Sequence, residues 1–109
     1  MSNVAMLGNG DFAVNVENTQ GAVVVDFTAS WCPPCKMLAP VFERVAQTYE
    51  GRAQFYKVDV DESVEVAAKY GVQKIPNLLF FKDGQVVDQT IGYLSESQLA
   101  SRVDGVLEN

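Results

Sequence analysis

Apolar and polar positions alternate along this chain in blocks that read as strands and helices in turn. Ala22-Val23-Val24-Val25-Asp26-Phe27 is β-branched and nearly all apolar, the pattern of a parallel strand covered on both faces. Met37, Leu38, Val41, Phe42, Val45, Ala46 and Tyr49 follow as an i/i+4 stripe, which predicts an amphipathic helix. Gly51 stands where a left-handed C-terminal cap belongs. Pro40 lies inside that stripe and removes a helix amide, so a kink is expected there. Ala53 to Val60 reads as a second strand, and Ser63 to Tyr70 as a short helix stopped by Gly71.

Further on, Leu78-Leu79-Phe80-Phe81 and Val86-Val87 flank Asp83-Gly84, a strong hairpin signal. Ser95-Glu96-Ser97-Gln98 has the spacing of a capping box, with Leu99, Val103, Val106 and Leu107 at helical intervals after it. Asp11 to Asn18 suits either a helix (Phe12, Val16) or a strand (Val14, Val16), and a helix is the reading preferred. The order is a β-α-β half, a hairpin and a closing helix, which predicts an α/β fold: a mixed sheet with helices on both faces.

No linker, repeat or low-complexity segment divides the chain, so residues 1–109 are expected to form one domain. At this size ~65% of the unfolded surface can be buried, enough for a core without metals or a disulfide framework. The net charge of −6 argues against non-specific binding to nucleic acid or anionic membrane. The longest apolar runs are far too short to span a bilayer. The first ten residues have neither the basic nor the apolar region of a secretory signal. A cytoplasmic monomer with reduced thiols is expected.

Composition removes much chemistry. There is no histidine, which excludes Ser-His and Cys-His catalysis and every mixed Cys/His zinc site. Two cysteines cannot complete a four-thiolate site, so no metal is expected. Those cysteines fall in Trp31-Cys32-Pro33-Pro34-Cys35-Lys36, between an apolar strand and an amphipathic helix. An i, i+3 spacing at a helix start puts both on one face, near disulfide geometry. A ring this small stabilises the fold by only roughly 2 kcal/mol on a chain-entropy estimate, so redox chemistry explains the pair better than stapling. Cys32, at the helix N-terminus, is the expected thiolate and nucleophile. Cys35, one turn in, is the expected resolving thiol and the more buried of the two. Pro34 suits the first helical turn, where its missing amide had no partner. Two reduced cysteines packed as small hydrophobes, or a metal site shared with another chain, are the weaker readings.

Asp26 stands inside an apolar strand, where desolvation raises a carboxyl pKa. It is a candidate acceptor for the Cys35 proton; an acid at a frayed strand end is the plainer alternative. Lys57 is its candidate charge partner, or else a surface lysine. Proline is tolerated at a strand start, which places Ile75-Pro76 at the opening of the strand after the short helix. Two other patterns are weighed and set aside. Gly8-Asn9-Gly10-Asp11-Phe12-Ala13 has a dinucleotide-like spacing, but no strong strand precedes it, so a turn is expected. Asp59-Val60-Asp61-Glu62 lacks the glycine and distal glutamate of a calcium loop and reads as an acidic helix entry.

From Phe12 to Leu107 the chain resembles the thioredoxin family. The resemblance rests on Val25-Asp26-Phe27, Trp31-Cys32, Pro34-Cys35-Lys36-Met37, Ala39-Pro40, Lys57, Asp61, Tyr70-Gly71, Ile75-Pro76, Phe81-Lys82, Gly84 and Gly92. It implies the thioredoxin fold, a central mixed sheet flanked by helices, and reduction of protein disulfides through Cys32 and Cys35. It further implies Asp26 and Lys57 as the proton-handling pair and a cis Pro76. Trp31, Ile75, Pro76 and Gly92 become the client-docking surface, with Pro33, Pro34 and Lys74 at its edge. No bound cofactor is implied; electrons would come from an NADPH-dependent thioredoxin reductase. The implied clients are proteins such as ribonucleotide reductase, peroxiredoxin or methionine sulfoxide reductase.

Departures from the family pattern are Pro33 for the usual glycine, Thr28 for an aromatic, Lys74 for a small residue, Asn77 for threonine, and Tyr93 after Gly92. Those at 28, 74, 77 and 93 keep one rival open, a redox-silent binding or assembly module on the same fold. Against the other rival, a disulfide oxidase or isomerase, stand the short chain, the absence of a signal and the absence of a histidine between the cysteines.

Overall fold

The computed structural model describes residues 4–109. Five strands form one sheet in the order β1-β3-β2-β4-β5, with β1 at Val4–Leu7, β2 at Ala22–Thr28, β3 at Ala53–Asp59, β4 at Asn77–Lys82 and β5 at Gln85–Ile91. β1, β3 and β2 run parallel, β4 is antiparallel to β2, and β5 is antiparallel to β4. Three α-helices accompany them: α1 at Pro33–Thr48, α2 at Val64–Lys69 and α3 at Glu96–Leu107. The mixed α/β sheet expected from the sequence is present.

Period-two alternation in the central strands builds a core on each face of the sheet. Val24, Leu78 and Phe80 pack with Leu38, Val41, Phe42 and Val45 of α1 and with Leu99, Val103 and Val106 of α3. Val23, Val25, Phe27, Leu79 and Phe81 pack on the other side with Phe12, Val16 and Val66. Because β2 and β4 are covered on both sides, nearly every residue in them is buried, hence their unbroken apolar runs. β5 is an edge strand, and only Thr90 in it is buried.

β1 is not foreseen by the hydrophobic pattern. It has four residues, pairs on one side with β3, and buries only Leu7; so short and exposed an edge gives almost no alternation to detect. A short edge strand therefore precedes Gly8, and the expected turn follows it. That turn is tied by the Gly8 amide, which donates to Asp11 Oδ1 at 2.8 Å. Ala13–Glu17 then form a single π-helical turn, with the Asn18 amide donating to the Ala13 carbonyl at 2.9 Å. The segment is helical, as preferred over a strand, and Phe12 and Val16, four positions apart, both reach the core.

α1 runs unbroken through Pro40. The hairpin forms at Asp83-Gly84, with φ of 53° and 81°, the left-handed pair that such two-residue turns require. A Cβ at Gly84 would also strike the Glu17 backbone carbonyl. The Asp59 side chain accepts from the Asp61 and Glu62 amides at 2.8 and 3.2 Å, so this acidic group closes a turn into α2.

α3 begins with the capping box expected from sequence. Ser95 Oγ accepts from the Gln98 amide at 3.2 Å, and Gln98 Oε1 accepts from the Ser95 amide at 2.9 Å. Ser95→Ala is expected to lower stability by about 1 kcal/mol. Urea unfolding checks this, and an unchanged midpoint would show the cap to be idle.

Candidate active site

Cys32 and Cys35 sit where β2 hands over to α1. β2 ends at Thr28, and Cys32, in extended conformation, is the N-cap of α1. The two sulfurs form a disulfide, with Cα atoms 5.2 Å apart. Pro33 and Pro34 occupy the first turn and supply no amide hydrogen. The Cys35 amide is the first one able to face the sulfur, and it donates to Cys32 Sγ at 3.3 Å. The Cys32 backbone carbonyl accepts from the Lys36 amide at 3.1 Å. A reduced Cys32 thiolate there gains from that donor and from the helix dipole.

The difference in burial expected between the cysteines is not found. Cys32 is 3% exposed and Cys35 2%. Ala29, Val60 and Ile75 pack around both, so access to either sulfur is narrow. The Ile75 carbonyl lies 4.0 Å from Cys32 Sγ. The Ile75–Pro76 peptide bond is cis. Pro76 is buried, and its carbonyl accepts from the Gly92 amide at 2.8 Å.

Around this mouth the surface is apolar and open. Trp31 is 64% exposed, and Met37, Ile91 and Tyr93 are exposed too. Pro33, Pro34 and Lys74 are exposed, Ile75 and Gly92 half-buried. Trp31 is not free to swing, because its indole Nε1 donates to Asp61 Oδ2 at 2.7 Å. Asp61 forms part of the family resemblance, but sequence alone assigns it no task. The turn holding it ends β3, and β3 runs parallel to β2, so both strands deliver their following loops to one end of the sheet. That shared end was the available signal.

Asp26 lies below the mouth on β2, 1% exposed, with Oδ1 lacking any hydrogen-bond partner. Burial lifts its carboxyl from the ordinary 3.8 to about 7, against the opposing pull of Lys57. Lys57 is its register partner on β3, so both side chains project from the same face of the sheet. The plainer readings of these two residues, a frayed strand end and a surface lysine, do not describe what is found.

A buried disulfide at a helix N-terminus, with an apolar rim and a carboxyl of raised pKa beneath, defines a dithiol–disulfide exchange protein. The thioredoxin family model matches residues 3–105. Thioredoxins of Staphylococcus aureus strains Mu50, MW2 and N315 are each 48% identical over 101 residues, covering 93% of this chain and 95% of theirs. The chain belongs to the thioredoxin family and is a thiol–disulfide oxidoreductase, a reductase of protein disulfides. The family works without a bound cofactor, and it implies a reductase partner and disulfide-bearing clients. No helix among the described residues is long and apolar enough to cross a membrane.

Proposed function

We propose that residues 1–109 act as one thioredoxin domain, a cytoplasmic monomer carrying electrons from an NADPH-dependent flavoprotein reductase to oxidised client proteins. The Cys32 thiolate attacks a client disulfide, forms a mixed disulfide and releases one client thiol. Cys35 then attacks Cys32 Sγ, closing the internal disulfide and releasing the second client thiol. Asp26 takes the Cys35 proton as that thiol attacks, and Lys57 steadies the carboxylate that exists beforehand. Trp31, Pro33, Pro34, Ile75, Pro76 and Gly92 form the surface on which an extended client segment lies, with Lys74 at its margin. Ribonucleotide reductase, peroxiredoxin and methionine sulfoxide reductase are the client types.

The observation that supports this reading best is Cys32 Sγ held at the start of α1 against the Cys35 amide. The second proline sets its expected potential. Replacing glycine by Pro33 removes one donor, and a hydrogen bond to a charged acceptor is worth about 1.5–3 kcal/mol. For two electrons that is roughly 30–65 mV. Thioredoxins and the strongest periplasmic oxidants are known to lie about 150 mV apart, so one amide leaves the protein on the reducing side. Equilibration with glutathione is expected to give a potential below about −180 mV. A higher value would make the protein an oxidase or isomerase. Failure of a thioredoxin reductase and NADPH to re-reduce it would remove the proposed electron source.

A further inference from the structure

Lys57 forms a half-buried ion pair with α1. Its Nζ lies 3.9 Å from Glu43 Oε2 on α1, with the two side chains 22% and 33% exposed. In the other ion pairs among the described residues, Arg44–Glu96, Lys69–Glu17 and Arg102–Asp88, the basic member is about half exposed or more. Lys57 is also the charge that acts on Asp26. A carboxyl, an ammonium and a second carboxyl thus lead from the buried sheet row to the flank of α1. The third member has no signature in the sequence, because Glu43 lies 14 positions before Lys57 (57 minus 43) and reaches it only through the packing of α1 against β3.

We infer that Glu43 is a positioning residue for disulfide exchange: it fixes the Lys57 ammonium over the sheet and offsets part of its charge, which keeps Asp26 basic enough to take a thiol proton. A lone ammonium beside Asp26 would favour the ionised carboxylate and weaken it as a base. An acid within ion-pair distance of that ammonium reduces the effect, on top of the burial that chiefly raises the Asp26 carboxyl. The other surroundings of Asp26 among the described residues supply no competing charge. Leu78 is its register partner on β4, and Thr90, next in the same row on β5, is neutral. The buried residues of α3 are Leu99, Val103 and Val106. α1 offers Leu38, Val41, Phe42 and Val45, together with the cysteines.

This inference rests on Asp26 being the proton acceptor, so the experiment separates the two. The Asp26 carboxyl carbon is titrated by NMR in wild type, Glu43→Gln and Glu43→Asp. Glu43→Gln is expected to lower the Asp26 midpoint by about half a unit, and Glu43→Asp to stay near wild type. The pH profile for resolving a mixed disulfide is expected to move down by the same amount in Glu43→Gln. A midpoint that is unchanged or raised overturns the inference, whatever happens to the rates. If the midpoint falls but Asp26→Asn keeps the wild-type rate profile, the acceptor role of Asp26 fails and Glu43 has no part in exchange.

Discussion

Replacing Asp26 by Asn is expected to stabilise the oxidised protein by roughly 4 kcal/mol at pH 8 and by almost nothing at pH 3.5. The carboxyl titrates at about 7 in the fold, against 3.8 ordinarily, chiefly because burial penalises its charge. Between those values the native state binds more protons than the unfolded chain. Stability then falls as pH rises through that window and levels off above it. A difference of about three units at 1.36 kcal/mol each gives the magnitude. Asparagine has no charge to desolvate, so the variant lacks this loss. Glu17 works in the opposite sense, since hydrogen bonds from Lys69 and Tyr70 lower its pKa. Its contribution is present above the unfolded pKa and is lost as pH falls. Both proteins share Glu17, so their difference isolates Asp26. Urea unfolding at pH 3.5, 6 and 8 measures it, and parallel profiles for the two proteins would mean that Asp26 is not desolvated.

The same substitution is expected to cost function. Releasing a mixed disulfide needs a base for the Cys35 proton, and a placed base contributes about 100-fold or more to such steps. With water able to substitute in part, resolution should slow by about 10- to 100-fold at pH 7. Formation of the mixed disulfide, which uses Cys32, should change little. A residue that costs stability while speeding one proton transfer violates local design rules where function requires it.

How far the sequence discloses the site depends on how local each relation is. The cysteines, the prolines between them and the capping box at Ser95 are fixed by neighbours three residues apart, and all were legible. Asp26 was legible because an acid in Val-Val-Val-Asp-Phe contradicts its surroundings. The hydrogen bond from Trp31 to Asp61 spans 30 positions and the ion pair of Lys57 with Glu43 spans 14 (57 minus 43), with no periodicity to announce either. Near-equal burial of the cysteines was also hidden: it arises from Ile75 and Val60, which reach the pair from loops after α2 and β3. β1 failed for a thermodynamic reason, since an exposed four-residue edge is held by its β3 ladder rather than by its own side chains.

Cys35→Ser is expected to lower insulin reduction roughly 1,000-fold, because single-thiol attack leaves each client attached. Serine cannot attack Cys32 Sγ, so the mixed disulfide accumulates one-to-one with protein and survives non-reducing electrophoresis. Cys32→Ser should lose as much turnover without trapping anything. In that variant the remaining sulfur is on the third residue of α1, behind Pro33 and Pro34 in the first turn. The contrast between the variants assigns the order of attack, which burial alone cannot do when both cysteines are 2–3% exposed. It also decides between an electron carrier and a redox-silent module on the same fold, since a module would show equal turbidity rates for wild type and Cys35→Ser. Trapping by Cys32→Ser instead would reverse the roles of the two sulfurs. The amide at 3.3 Å from Cys32 Sγ would then serve to stabilise a leaving group rather than a nucleophile.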